Sequence, residues 1–286
     1  MKENRLIWPV KIMARVLKVA RSGYYAWLER VPSERELLDA VLKPLIRQAH
    51  KQSRETYGSR RIKIDLAARN YFVGLDRISR LRREMRLVCR QRKKFKATTN
   101  SKHNFPVAPN LLDQIFDIST PGMAWGTDIT YIPTDEGWLY LAGVKDFGSR
   151  EIVGFAMGSR MTKELTQEAL RKALHCRKPL PGCIHHSDRG SQYCSHEYQR
   201  DVKNAGLIAS MSRKGNCYDN APTESFWGHL KQELVYHCHY KTRAEAQASI
   251  QEYILVFYNR MRRHSSIGYI APSVYAEYFY AERKSA

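Results

Sequence analysis

Residues 123–158 read MAWGTDITYIPTDEGWLYLAGVKDFGSREIVGFAMG, three β-type segments separated by two turns. The turns fall at residues 135–137 and 148–149, and the segments between them are rich in β-branched and aromatic side chains. This pattern predicts a three-stranded antiparallel meander. Further along, the chain predicts a helix at 163–176, a short strand in CIHHSD, a helix at 195–205, a short strand in LIASMS, and two helices at about 221–237 and 242–260.

The predicted element order is three strands, a helix, a strand, a helix, a strand and closing helices. This is the order of the ribonuclease-H-like fold, so we predict an α/β core at residues 122–275 with a mixed five-stranded sheet and flanking helices. Residues 276–286 are predicted to form a C-terminal tail. Because a fold does not establish an activity, function has to be argued from particular residues.

Positive charge is concentrated at the start of the chain. Residues 1–100 hold 26 Lys and Arg against 9 Asp and Glu, whereas the remainder holds 22 against 19, in a chain of net charge +20. Such a region repels itself unless a polyanion neutralises it, and DNA or RNA is the polyanion we expect. No apolar run approaches the roughly 20 residues that span a bilayer, so we expect no membrane partner. The six scattered cysteines fit a reduced, cytoplasmic protein.

The basic region at residues 1–96 is predicted to be helical and to bind DNA, and residues 97–121 are predicted to be a polar linker. Residues 59–88 have the pattern of two helices joined by a turn. Arginines repeat every three residues on the second helix, which suits a major groove or a phosphate track. The alternative is a solvated basic face. These arginines are Arg77, Arg80, Arg83 and Arg86.

Three short segments each place an acidic residue at or beside the end of a predicted element or within a strand: WGTDITYI, HSDRGSQY and DNAPTESFW. Asp128 lies within the first predicted strand, Asp188 follows the fourth, and Glu224 opens a helix. Because the first and fourth strands are neighbours in this fold, the three carboxylates can converge. Cutting a phosphodiester needs a nucleophilic oxygen, charge relief on the transition state and a stabilised leaving oxygen. Two divalent ions about 4 Å apart supply all three, and such hard cations need several carboxylate oxygens. Spacing alone is a weak signal, because the chain offers 28 acids.

The predicted helix that carries Glu224 presents further groups. Lys231 follows seven residues later, and at about 100° per residue it returns to the same face. Gly228 between them leaves room for a DNA strand. Phe226, Trp227, Leu230 and Leu234 are predicted to anchor the opposite face in the core.

Several blocks of the chain resemble the integrase-core transposases of bacterial insertion sequences, and most closely the second-reading-frame product of the group that makes its transposase by frameshifting. Besides the segments above, the resemblance rests on RSGYYAWL, TYGSRRI, GNCYDNAPTESFWGHLK and FYNRMRRHSSIGYIAP, in the family order. The 35 residues between Asp188 and Glu224 equal the family signature. Two departures, Cys194 and Ala271, leave the three acids untouched.

The resemblance implies an activity and its partners. Asp128, Asp188 and Glu224 would be the catalytic triad that binds Mg²⁺ or Mn²⁺, with two ions expected, and Lys231 would contact DNA. The implied reaction is cleavage and strand transfer at the element's terminal repeats, in a nucleoid-associated bacterial protein. A homo-oligomer on DNA is expected, and so is the upstream first-reading-frame product, as a fusion or a separate chain.

Two other functions stay open from the sequence. One is a DNA-binding regulator without catalysis, and the other is a metal nuclease that cuts without joining. The residues after the last predicted core helix are basic, and we expect a phosphate track there rather than a merely solvated end. They are Arg260, Arg262, Arg263 and His264. For four further residues, both a role in the site and a structural role stay open. They are His185, His186, Asn220 and Arg189.

Overall fold

The computed structural model describes residues 1–90, 106–213 and 217–285. The first third is helical, as predicted, with α3 starting at a capping box in which Ser33 and Glu36 bind each other's backbone N–H groups. This helix continues through Pro44 as one element. Among the described residues, none of the helices has both the length and the apolarity to cross a bilayer. The five helices are α1 (Val10–Val16), α2 (Arg21–Leu28), α3 (Glu34–Gln52), α4 (Ser59–Ala67) and α5 (Leu75–Glu84).

Helices α3, α4 and α5 share one small hydrophobic core. Their apolar stripes meet because side chains three or four residues apart lie on one helical face. The helices α4 and α5 occupy the residues from which two helices and a turn were predicted. The fully buried members of this core are Leu42, Ile46, Ile62, Leu66, Ile78 and Leu81.

The core contains the predicted mixed five-stranded sheet. Its strands are β1 (Ala124–Thr134), β2 (Gly137–Asp146), β3 (Ile152–Gly158), β4 (Ile184–Ser187) and β5 (Ile208–Met211), in the spatial order β3-β2-β1-β4-β5. The first three strands form the antiparallel meander, and β4 and β5 add to it in parallel beside β1. The predicted α/β, ribonuclease-H-like fold class is confirmed.

Helices cover both faces of this sheet, because alternate side chains of each strand point to opposite faces. On one face, α6 (Lys163–Cys176), the single turn α7 (Ser191–Cys194) and α8 (His196–Asn204) pack over residues such as Val144 and Ala156. On the other face, α9 (Ala221–Glu233) and α10 (Arg243–Glu252) pack over residues such as Leu139 and Leu141. The sheet is therefore the middle of three layers.

The C-terminal part differs from prediction in one respect. The segment predicted as one helix at 242–260 is α-helical only in α10 and continues as a π-helix from Tyr253 to Met261. The wider π turns still bury Ile254, Phe257 and Tyr258 against the core. Most of the predicted C-terminal tail lies in the last helix, α11 (Pro272–Ser285).

Part of the predicted linker is attached to the core. Residues 97–105 of that linker fall outside the described residues. Beyond them, Leu112 is buried together with Phe147, and the rings of Phe116 and Phe147 meet edge to face at 5.8 Å. The segment from about 110 onward is therefore packed chain rather than free connection.

The helical region contacts the core through the π-helical segment. The Tyr57 hydroxyl donates to the carbonyl of Met261 at 3.2 Å and accepts from the backbone N–H of Arg263 at 2.7 Å. The Arg263 guanidinium reaches Asp65 of α4 at 3.0 Å. Arg54 pairs with Glu252, and its guanidinium also lies over the aromatic rings of the π-helix. These contacts fix α4 and α5 relative to the core.

Candidate active site

Strand register brings Asp128 and Asp188 side by side, where β4 ends next to the central strand β1. Gly126 of β1 pairs with His186 of β4 in a parallel ladder, and each chain runs two residues further to its aspartate. Asp128 is within β1, whereas Asp188 comes directly after β4, where its Oδ1 accepts the N–H of Gly190 at 2.9 Å. Both aspartates lie where the sequence predicted.

Close packing of α9 on β1 brings the third acid alongside. A Cβ added to Gly126 would lie 2.5 Å from the hydroxyl of Thr223, so only glycine permits the first turn of α9 to sit there. Glu224 is in that first turn. One turn later, the indole Nε1 of Trp227 donates to Oδ2 of Asp128 at 3.1 Å. The predicted apolar face of α9 is buried.

The three acids act on one another electrostatically. Burial raises the pKa of Asp128 well above its usual range, and the charges of Asp188 and Glu224 raise it further. The N–H groups of Ile129 and Trp227 oppose that rise. Burial also raises the pKa of Glu224, and the charge of Asp188 adds to it. A cation bound here would offset the effect of these neighbouring negative charges on Asp128 and Glu224.

The carboxylate oxygens of Asp128, Asp188 and Glu224 are the kind of ligand that hard divalent cations prefer. Carboxylate oxygens are the ligands that Mg²⁺ and Mn²⁺ favour, and mutual repulsion supplies a reason for binding. Across the described parts of the chain, no group of three or more His, Cys, Asp or Glu is gathered closely enough to form a ready-made metal site. Asp128, Asp188 and Glu224 interact through their charges without being gathered that closely, and the hydrogen bonds that Asp128 and Asp188 accept from N–H groups fix the orientation of both carboxylates.

Lys231 lies at the edge of this site. Its Nζ is 5.0 Å from the centre of the Tyr131 ring, in cation–π geometry. Burial lowers the pKa of Lys231, and the charge of Asp128 opposes that change. Lys231 therefore interacts with the charge of Asp128, which agrees with its predicted place on the same side of α9 as Glu224.

The other predicted DNA contacts have varied surroundings. Arg77 and Arg80 both pair with Asp39 of α3, at 2.7 Å and 2.6 Å, so a DNA contact by either would compete with that carboxylate. Arg83 and Arg86 are exposed. Arg263 is held by Asp65, and His264 shares a hydrogen bond with Ser266 at 3.0 Å.

Arg262 departs from the expected exposed track. Its side chain is only 2 % exposed and forms a bidentate ion pair with Glu233 of α9. The guanidinium is too far inside to belong to a surface track. The reason is that the π-helical segment turns it inward, where a carboxylate offsets the desolvation cost of its charge.

The two histidines before Asp188 have structural contacts. His185 Nε2 lies 2.7 Å from the Tyr198 hydroxyl, and His186 lies between Ser210 and Ser212. Burial lowers the pKa of His185 to about 3 and that of His186 to about 4, so both imidazoles are neutral near pH 7. Their contacts favour the structural role over a site role.

Asp219 is a positioning residue that the sequence reasoning missed. It is fully buried and accepts hydrogen bonds from Arg213, Asn110 and Gln114. These bonds, Arg213 above all, hold its pKa well below the usual range. Because Asp219 comes just before α9, this network fixes the start of the helix that carries Glu224. Its place within DNAPTESFW was the available signal.

Alanine at Gly126 should loosen this packing. The added Cβ would meet the Phe147 ring and Thr223 at 2.5 Å or less, so α9 or the ring has to move. We expect Gly126→Ala to lower the free energy of unfolding by about 1–3 kcal/mol. Urea unfolding measures it, with Gly23→Ala as control because a Cβ there meets nothing within 4 Å. Equal stability of the two variants would show that the contact is not tight.

Known family models cover most of the chain. An integrase core domain matches residues 119–217, a second integrase core model matches 224–278, and an HTH-like domain matches 36–95. Two solved structures resemble parts of the chain at low similarity. They are a simian T-cell lymphotropic virus intasome (TM-score 0.46, 14 % identity, 79 % of this chain, 72 % of that one) and the catalytic core of BIV integrase (TM-score 0.43, 17 % identity, 57 % and 99 %).

Relatives at high identity span nearly the whole chain. The uncharacterized 31 kDa protein of insertion element IS600 from Shigella sonnei is 55 % identical over 268 residues, covering 94 % of this chain and 98 % of that protein. The transposase InsF for insertion sequence IS3A from Escherichia coli K12 is 40 % identical over 273 residues, 95 % of each.

Fold and site together define an integrase-core enzyme of the polynucleotidyl transferase type, joined to an HTH-like domain. The chain belongs to the insertion-sequence transposases of the integrase-core family. DNA is therefore its partner, and DNA transposition is its process.

Proposed function

We propose that the protein cuts DNA strands at the ends of its insertion element and joins them to target DNA, in a reaction that depends on divalent metal. The observation that carries this proposal is the electrostatic interaction of three carboxylates beside β1: besides burial, the charges of Asp188 and Glu224 raise the pKa of Asp128, and that of Asp188 raises the pKa of Glu224. Negative charges held close together raise the free energy of the folded protein unless a cation binds to them.

The proposed chemistry needs no protein nucleophile. In cleavage, a water oxygen bonds to phosphorus and the 3′-oxygen leaves as a hydroxyl. In joining, that 3′-hydroxyl attacks a target phosphodiester in line, its proton passes to solvent, and the target's own 3′-oxygen leaves. Each step forms one P–O bond and breaks one, so no external energy source is required. Bound Mg²⁺ or Mn²⁺ would supply nucleophile activation and charge relief on the phosphorus oxygens.

The residues of the chain have separate parts in this proposal. Asp128, Asp188 and Glu224 would hold the metal. The Trp227 indole keeps Asp128 turned toward the site through its hydrogen bond. The first turn of α9, packed on Gly126, sets the position of Glu224. Correct placement of reacting groups is itself a large part of catalysis.

DNA binding is proposed to use two surfaces. Near the acids, Lys231 offers a cation to a backbone phosphate. On α5, the exposed Arg83 and Arg86 suit a phosphate track, whereas Arg77 and Arg80 would first have to leave Asp39. Because two element ends are joined in one event, we also propose that several copies assemble on DNA, with the upstream-frame product as an added partner.

A joining assay tests the proposed function. Labelled duplexes that carry the element's end are incubated with the full chain and a target plasmid, with and without the upstream-frame protein. We expect a joined product in Mg²⁺ or Mn²⁺ and none in chelator. Cleavage without joining would instead indicate a nuclease. Activity in chelator would contradict the metal proposal.

A further inference from the structure

A second group of basic side chains, arginine, lysine and histidine, lies on the other side of α9. His229 follows Glu224 by five residues, about 140° round the helix. Lys145 at the end of β2, Arg262 after the π-helix and Arg61 of α4 act electrostatically on His229, and His229 in turn acts on His264. The group, called here the junction cluster, consists of Arg61, Lys145, Arg150, His229, Arg262 and His264. It lies where the helical region meets the core.

Hydrogen bonds and ring contacts hold the junction cluster together. Arg150 Nε donates to the Ser266 hydroxyl at 3.0 Å, and His264 Nδ1 lies 3.0 Å from the same oxygen. Lys145 Nζ donates to the carbonyl of Pro222 at 2.7 Å, in the first turn of α9. Arg61 lies over the Tyr57 ring, whose hydroxyl binds the 261–263 backbone. The cluster thus draws its side chains from four parts of the fold: α4, the end of β2 with the turn after it, α9, and the segment after the π-helix.

Positive charge in the junction cluster is poorly balanced. Among the described residues, Arg61, Lys145 and Arg150 form no ion pair, and His229 forms no hydrogen bond. Glu233 is already paired with Arg262, while Asp117 and Asp146 act on Arg150. Arg262 is only 2 % exposed, and its buried Nη1 atom has no hydrogen-bond partner among the described residues. Leaving a buried N–H donor without a hydrogen-bond partner costs free energy of folding, so this donor calls for an explanation.

Burial, with neighbouring cations adding to it, keeps His229 and His264 neutral. Burial lowers the pKa of His229 to about 3, with Arg262, Lys145 and Arg61 adding to the effect. Burial likewise lowers the pKa of His264 to about 3, helped by Lys145, Arg262 and Arg150. Burial lowers the pKa of Lys145 to about 7, and both arginines contribute. An anion placed among these groups would relieve all of these repulsions at once.

We propose that the junction cluster binds one backbone phosphate of DNA, with Arg61, His229 and His264 as the half-buried side chains that reach it and Lys145 and Arg262 as buried charges behind them. This site is distinct from the three acids and rests on the proposed function only in taking DNA as the source of the phosphate. Arg61 belongs to the helical region and the other groups belong to the core. A phosphate bound there would link the two parts of the protein.

Salt-dependent DNA binding tests the proposal. Affinity of the full chain for a duplex carrying the element's end is measured over a NaCl series, in chelator so that no chemistry occurs. Arg61→Gln should weaken binding about tenfold and reduce the slope of log K against log salt by about 0.9, the loss of one phosphate contact. Arg171→Gln is the matched control. That arginine is 70 % exposed on α6, which packs on the opposite face of the sheet.

A second measurement uses inorganic phosphate as the probe. Titration into the folded chain should shift the NMR signals of the His229 and His264 imidazoles in the wild type, and should shift them less in Arg61→Gln. Unfolding curves establish that the variant is folded. The proposal would be overturned if Arg61→Gln had the same slope of log K against log salt as the wild type. It would also be overturned if the NMR signals of the His229 and His264 imidazoles did not shift when phosphate is added. Neither result depends on strand joining, so this proposal and the proposed catalysis can fail separately.

Discussion

Glu224→Gln leaves a protein that binds element-end DNA and neither cuts nor joins it. Metal-assisted charge stabilisation contributes several kcal/mol to such reactions, and each 1.36 kcal/mol is a factor of ten in rate. We therefore expect the joining rate to fall on the order of 10³-fold or more. Binding should stay equal or become tighter, since glutamine removes a negative charge that repels DNA phosphates.

The measurement pairs a gel assay of labelled, joined product in Mg²⁺ with an affinity measurement in chelator. Glu168→Gln is the control, because Glu168 forms exposed ion pairs within α6 on the opposite face of the sheet. It should join DNA like the wild type. Wild-type joining by Glu224→Gln would remove that residue from the chemistry and leave the two aspartates to account for metal binding.

Glu233→Gln should have the largest effect on stability. Glu233 is 8 % exposed and Arg262 is 2 % exposed, with contacts of 2.8 to 3.1 Å between them. The Tyr253 hydroxyl donates to the same carboxylate at 2.8 Å. Glutamine would leave the Arg262 charge buried without a counter-ion. Breaking one side of a buried pair typically costs about 3–5 kcal/mol, which is a large share of a domain's total stability.

Urea unfolding at neutral pH measures this change in the free energy of unfolding. The matched control is Glu197→Gln, which breaks an exposed pair with Lys163 and should cost less than about 1 kcal/mol. If Glu233→Gln and Glu197→Gln lose the same small amount, then water reaches Arg262 in solution and the pair is not a buried one.

The sequence predicted the sheet well because its strands have strong local signals. The turns at 135–137 and 148–149 separate β1, β2 and β3, and alternation sets which residues face α6 and which face α9. The π-helix at Tyr253–Met261 was not predictable, since its buried residues have the same spacing as in an α-helix. The two differ in their backbone hydrogen bonds: here the N–H of Arg262 donates to the carbonyl of Phe257, five residues earlier.

The candidate site was predictable in part. The positions of Asp128, Asp188 and Glu224 follow from strand order and from the start of α9. Their roles as metal ligands stay a prediction. The partners that hold them did not follow from the sequence, because Trp227 was expected only as a core anchor. The hydrogen bond from its indole to Asp128 depends on how α9 lies on β1.

The attachment of Tyr57 to the 261–263 backbone has a consequence for the geometry of the DNA. Because α5 belongs to the same packed unit as α4, the separation between a base pair touched by α5 and a bond held at Asp128 is set by the protein. The duplex turns once in roughly 10 base pairs. A spacer lengthened by about five base pairs would therefore present the scissile bond on the wrong side of the double helix, whatever its sequence.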